Sequence, residues 1–108
     1  MKQPQWAGLL GLANRARKVI SGEELTVKEI QKGRAKLVLL SRDASPNTKK
    51  KIQDKAGYYQ VPVKWVDNRY ALGQAIGKDA RVVLAVLDAG FAGKLSSLID
   101  QCAREAGI

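Results

Sequence analysis

Apolar residues along this chain switch repeatedly between a helical and a strand period. Trp6, Leu9, Leu10 and Ala13 recur at i, i+3, i+4 and i+7, the stripe of an amphipathic first helix. Val19 and Ile20 read as a short strand. Ser21-Gly22-Glu23-Glu24 then matches S-x-x-E, which predicts a capping box in which hydroxyl and carboxylate satisfy free N–H groups at a helix start. The second helix is expected to run to Lys32 and to stop at Gly33, a residue suited to a C-terminal cap.

Lys36 to Ser41 is a nearly continuous apolar run, the pattern of a strand buried on both faces. Ser45-Pro46 opens a third helix with Ser as cap and Pro in the first turn. Its inner stripe is Ile52, Ala56 and Tyr59, and its outer face carries Lys49, Lys50, Lys51 and Lys55. Val61, Val63 and Trp65 alternate as a third strand, which Pro62 confines to an edge or to a position with a free N–H side. Leu72, Ala75 and Ile76 make a short fourth helix ending at Gly77. Val82 to Leu87 is a second fully apolar strand, and Phe91, Leu95, Leu98, Ile99 and Cys102 stripe a last helix. This alternation predicts a three-layer α/β/α sandwich around a mixed, largely parallel four-stranded sheet. Without linkers, repeats or low-complexity segments, residues 1–108 read as a single domain.

Charge changes the picture. The formal net charge is +9, and it is uneven: residues 1–55 carry 13 Lys and Arg against 5 Asp and Glu, residues 56–108 only 6 against 5. A surplus gathered in half of a small domain suggests a surface facing a polyanion, although it also suits mere solubility. The single Cys102 forms no intramolecular bridge and fits a reducing compartment. No apolar run reaches the roughly 18 residues that span a bilayer, and no signal-peptide pattern opens the chain, so a cytoplasmic location is expected.

The chemistry on offer is sparse. There is no His, hence no common general base and no leading metal ligand. Cys102 falls on an apolar stripe, which favours core packing over nucleophilic catalysis. Neither G-x-x-x-x-G-K-[ST] nor G-x-G-x-x-G is present. One enzymatic arrangement remains: Asp43 and Asp88 each follow an apolar strand and together would hold Mg²⁺ for phosphoryl transfer. Each also has a structural use, Asp43 in a turn and Asp88 as the cap of the last helix. An RNA site has better support. Arg15, Arg17 and Lys18 precede the start of the second helix, whose free N–H groups favour phosphate, and Lys28 lies a turn or so beyond.

These residues resemble a known family. L-L-G-L-A-N-R-A-R-K-V-I-S-G (9–22), S-G-E-E-L-T-V-K-E-I-Q-K-G-R-A-K-L-V-L-L-S-R-D-A-S-P (21–46), V-P-V (61–63), L-G-Q-A-I-G (72–77) and R-V-V-L-A-V-L-D (81–88) are similar, in order and spacing, to the kink-turn RNA-binding proteins. That family includes ribosomal proteins L7Ae and L30e, and the opening block resembles its bacterial YlxQ-type branch. The resemblance implies a non-catalytic, ribosome-associated protein that recognises a sharply bent RNA with tandem sheared G·A pairs. No cofactor, metal, membrane or small-molecule substrate is expected. Carried over by position, the RNA-binding residues are Gly22, Glu24, Leu25, Thr26 and Lys28 at the second helix, Arg42 and Asp43 after the second strand, and Lys78, Asp79, Ala80 and Arg81 before the last. Glu24 and Leu25 depart from the family, which usually has Asn or Lys at the first position and a polar residue at the second. They leave room for a protein-interaction adaptor on the same fold.

Overall fold

The computed structural model describes residues 4–105, with side chains through residue 103. Nine elements alternate along it: α1 (Gln5–Arg15), β1 (Val19–Ser21), α2 (Glu23–Gln31), β2 (Leu37–Ser41), α3 (Pro46–Tyr58), β3 (Val63–Val66), α4 (Arg69–Ala75), β4 (Val83–Val86) and α5 (Ala89–Glu105).

The four strands form one sheet in the order β1-β4-β2-β3. β2 pairs parallel with β3, while β4 pairs antiparallel with both β1 and β2. The sheet is mixed, as expected. It is largely parallel in strand direction only: β4 alone runs backwards, but its inner position makes two of the three pairings antiparallel. β3 is an edge strand, as Pro62 requires.

Alternate residues of the inner strands serve opposite layers, because successive side chains leave a strand on opposite faces. Leu37, Leu39, Leu84 and Val86 meet Trp6 and Leu10 of α1, Leu72 of α4 and Leu95 and Ile99 of α5. Val38, Leu40, Val83 and Ala85 meet Val27 and Ile30 of α2 and Ile52 and Ala56 of α3. Each fully buried Leu or Ile in these layers contributes about 1.5–3 kcal/mol of transfer free energy. Two residues assigned to inner stripes lie outside them. Tyr59 is 41% exposed, since the helix has already ended at Tyr58 and Tyr59 is its C-cap. Cys102 is exposed rather than packed in the core. The cause is length: α5 has 17 residues, about 26 Å at 1.5 Å each, and its last turns overrun strands of at most five residues.

The capping box predicted at Ser21 does not form. Ser21 ends β1, and Gly22 is the N-cap of α2 with φ 109° and ψ 147°, a region open to glycine, and no side chain caps this end. The Gly22 amide donates to the Val83 carbonyl at 3.0 Å, so the sheet fixes where the helix begins. Ser45 does cap α3, its hydroxyl accepting from the Thr48 amide at 3.2 Å.

Four helices close in the same way. After α1 the Lys18 amide bonds Ala13 O and the Arg17 amide bonds Asn14 O, with matching pairs after α2, α3 and α4. This is the Schellman turn, which places one residue in the left-handed region. That residue is Gly33 after α2 and Gly77 after α4, but Arg17 (φ 61°) after α1 and Gln60 (φ 60°) after α3. A non-glycine residue there costs about 1–2 kcal/mol.

Candidate RNA interface

β1, β2 and β3 all finish at one end of the sheet, where β4 begins and α2 starts. The connections meeting there carry the expected residues. Glu24 and Leu25 stand on the exposed side of the first turn of α2 and Lys28 one turn further on, in its last turn, while Val27 and Ile30 face the core. Leu25 is 49% exposed, an uncapped apolar side chain beside the charged ones. Thr26 does not share their surface: it is fully buried, its hydroxyl lacks a hydrogen-bond partner, and only its amide, bonded to Gly22 O, belongs to the helix start.

The loop after β2 is held from the side. The Arg42 amide donates to Val66 O at 2.9 Å, leaving its side chain exposed. The Asp43 carboxylate accepts from the Arg69 amide at 3.1 Å, and Arg69 Nη2 donates to the Asp43 carbonyl at 2.7 Å. The Asp43 carboxyl is held below its ordinary range, by the Ser41 hydroxyl first and then, against an opposing desolvation, by the amide and charge of Arg69. Ser41 Oγ makes no hydrogen bond of good geometry, so the Arg69 contacts are the firmer cause. Glu23 is likewise lowered, by Thr48 first and then Lys51, whose ammonium lies 3.4 Å away.

Arg81 locks the last loop to the first strand. Its amide donates to Arg69 O at 3.0 Å and its Nε to Ser21 Oγ at 3.3 Å. Ala80 lies beside it, its carbonyl accepting from Arg81 Nη1. Lys78 and Asp79 are exposed on the turn that closes α4. Residues from 22, 42–43 and 80–81 are thus brought into one surface, although they are far apart in sequence. Arg69, which binds both Asp43 and Arg81, was not singled out from the sequence. Its signal is slight, a lone Arg at the start of a short helix.

This end is electrically mixed. Lys28, Arg42, Lys78 and Arg81 alternate with Glu23, Glu24, Asp43 and Asp79. The lysines of α3 add less than their number suggests: Lys51 pairs with Glu23 and Lys49 sits 5.8 Å from the centre of the Trp65 ring.

Two sequence-based placements do not survive the topology. Asp43 and Asp88 follow antiparallel strands, so they stand at opposite ends of the sheet and cannot share a Mg²⁺ ion. Asp88 instead caps α5, accepting from the Phe91 amide at 2.9 Å. Among the described residues no three His, Cys, Asp or Glu are grouped to hold a metal. Arg15, Arg17 and Lys18, in turn, are separated from the start of α2 by the whole of β1, and lie at the far end.

Residues 5–96 match the model of the ribosomal protein L7Ae/L30e/S12e/Gadd45 family. The chain is 63% identical over 100 residues to the RNA-binding protein YlxQ of Bacillus subtilis, covering 93% of this chain and 100% of that one. It is 37% identical over 83 residues to the large ribosomal subunit protein eL30B of Schizosaccharomyces pombe, covering 75% and 71%. Among solved structures, a Bacillus halodurans protein of unknown function superimposes with a TM-score of 0.87 at 58% identity, covering 90% of this chain and 98% of that one. The Giardia lamblia 15.5kD RNA binding protein superimposes with a TM-score of 0.73 at 20% identity, covering 86% of each chain, a likeness of fold. No helix among the described residues is long and apolar enough to cross a membrane.

Proposed function

Because this chain belongs to the ribosomal protein L7Ae/L30e/S12e/Gadd45 family, we propose that it is a non-catalytic protein, a single RNA-binding domain acting in the cytoplasm on bent, kink-turn-like RNA. The observation that carries this reading is the convergence at one sheet end of the α2 start, the Arg42 loop and the Arg81 loop. Each is fixed by hydrogen bonds to its neighbours before any ligand arrives. Such an end recognises shape. Lys28, Arg42 and Arg81 neutralise phosphates crowded at a bend, and the exposed first turn of α2 meets base edges that the bend has splayed open. Leu25 offers those bases an apolar contact. The mixed charge suits this role, because uniform positive charge would favour any duplex equally.

The test compares a kink-turn hairpin with the same hairpin whose tandem G·A pairs are replaced by Watson–Crick pairs. Tighter binding of the bent RNA, with log K falling against log[salt] by about two to four units, is the expected result. Equal affinity for the two hairpins sinks the kink-turn reading. Salt-independent capture of a protein and of neither RNA favours an adaptor.

A further inference from the structure

The chain's surplus charge does not lie at the loop end, and its actual position carries a second reading. At the other end of the sheet, α1 turns into β1 through Arg15, Arg17 and Lys18, and α2 turns into β2 through Lys32, Arg34 and Lys36. All six are exposed. Both connections clasp the last residues of β4: Lys18 O accepts from the Leu87 amide at 2.7 Å, and the Lys36 amide donates to Val86 O at 2.8 Å. With one strand between them, Lys18 and Lys36 have backbones about 10 Å apart. The acids next to these connections, in the last turns of α2 and after β4, are already occupied. Glu29 is bound by Arg34 at 2.7 Å, and Asp88 caps α5. Among the described residues Arg15, Arg17, Lys18, Lys32 and Lys36 have no side-chain partner.

Basic residues at helix C-termini also complement the helix dipole, and Arg17 stands there on unusual backbone. It fills the left-handed position of a Schellman turn, where glycine serves after α2 and α4. The backbone there would be more relaxed without a side chain, as it would at Gln60 after α3. An exposed aromatic pair stands at the same end, where α3 turns into β3. Tyr58 is 80% exposed and its ring meets Tyr59 edge-on at 4.9 Å, with phenol hydroxyls that can donate to phosphate oxygens.

We infer that this second pole grips the phosphate backbone of another RNA segment, so that the protein bridges two RNA elements held at opposite ends of its sheet. The bridging rests on the RNA reading of the loop end, while the pole itself is measurable without it. The pole lacks a fixed base-reading surface, so it takes an ordinary duplex through its phosphates.

The experiment titrates a short, straight, labelled RNA duplex into the full chain, free and preloaded with unlabelled kink-turn hairpin. Duplex binding is expected in both states. Arg17→Gly with Lys18→Ala and Lys36→Ala should weaken it about tenfold or more and lower the salt slope by about three. Kink-turn affinity should stay within about twofold. Glycine suits the backbone at residue 17, so Arg17→Gly alone keeps the melting temperature or raises it, and any loss it causes is a loss of contact. Blockage of the duplex by preloaded kink-turn RNA, or wild-type duplex binding by the triple variant, overturns the proposal. So does capture of the pole by phosphatidylserine vesicles with no binding of duplex. If the kink-turn hairpin fails to bind, the duplex titration on free protein still reads the pole, and the two ideas fail separately.

Discussion

Gly73 lies against the backbone of Ala80, where an added Cβ would stand 2.7 Å from the Ala80 Cα and 2.8 Å from its nitrogen. Nothing flexible can yield there, since the obstacle is main chain. Gly73→Ala should therefore push the loop carrying Ala80 and Arg81 off α4, at a cost of about 1–3 kcal/mol in a denaturant melt. Affinity for kink-turn RNA should fall with it, although Gly73 itself is buried. A stable Gly73→Ala protein with full affinity would show that the loop position does not matter.

Lys28 is the exposed cation on the open face of α2 beside Glu24 and Leu25. Lys28→Ala is expected to weaken kink-turn binding by about 1–3 kcal/mol, the range for losing a good contact to a base edge. The melting temperature should be unchanged, as the side chain has no protein partner among the described residues. Titration against the wild type decides it, and equal affinity removes Lys28 from the site.

Thr26 separates folding from binding. Its buried hydroxyl has no partner, so Thr26→Val keeps the shape while removing an unsatisfied polar group, and should raise stability by about 1 kcal/mol. RNA affinity should stay within twofold. A large loss of affinity with retained fold would mean that the hydroxyl turns outward to meet RNA.

The Asp43–Arg69 clasp has a pH signature. Its carboxyl is lowered from the ordinary 3.8, so the clasp is fully present above that value and is lost as pH falls through the folded-state value below it. The Arg69 amide, which donates to Asp43, should shift in ¹H–¹⁵N spectra with a midpoint under 3.8, and Asp43→Asn should abolish the inflection. A wild-type midpoint at or above 3.8 contradicts the clasp.

Most helix positions were legible because apolar spacing and caps agree, as at Ser45-Pro46. The start of α2 was misplaced by one residue. Its S-x-x-E pattern is genuine, but the Gly22 amide is already taken by Val83 and Ser21 is drawn into β1. The direction of β4 was hidden for another reason. A strand buried on both faces has the same apolar pattern read either way, and that direction separates Asp43 from Asp88. The residues of the loop end became visible through their family resemblance, since no local pattern links 22, 42 and 81. The same limit hid the second pole: Arg15, Arg17 and Lys18 are near Gly22 in sequence, yet β1 carries the chain from one end of the sheet to the other between them.

The inner position of β4 also sets an order of events during synthesis. β1 has β4 as its one partner, and β2 needs β4 on one side, yet β4 ends at Val86, late in the chain. Until that segment leaves the ribosome, β1 stays unpaired and the apolar run of β2 has only β3 beside it. The sheet therefore closes in a late step that joins segments distant in sequence, the slow kind of contact. A nascent chain halted before Val83 should remain protease-sensitive, with both ends of the sheet unformed.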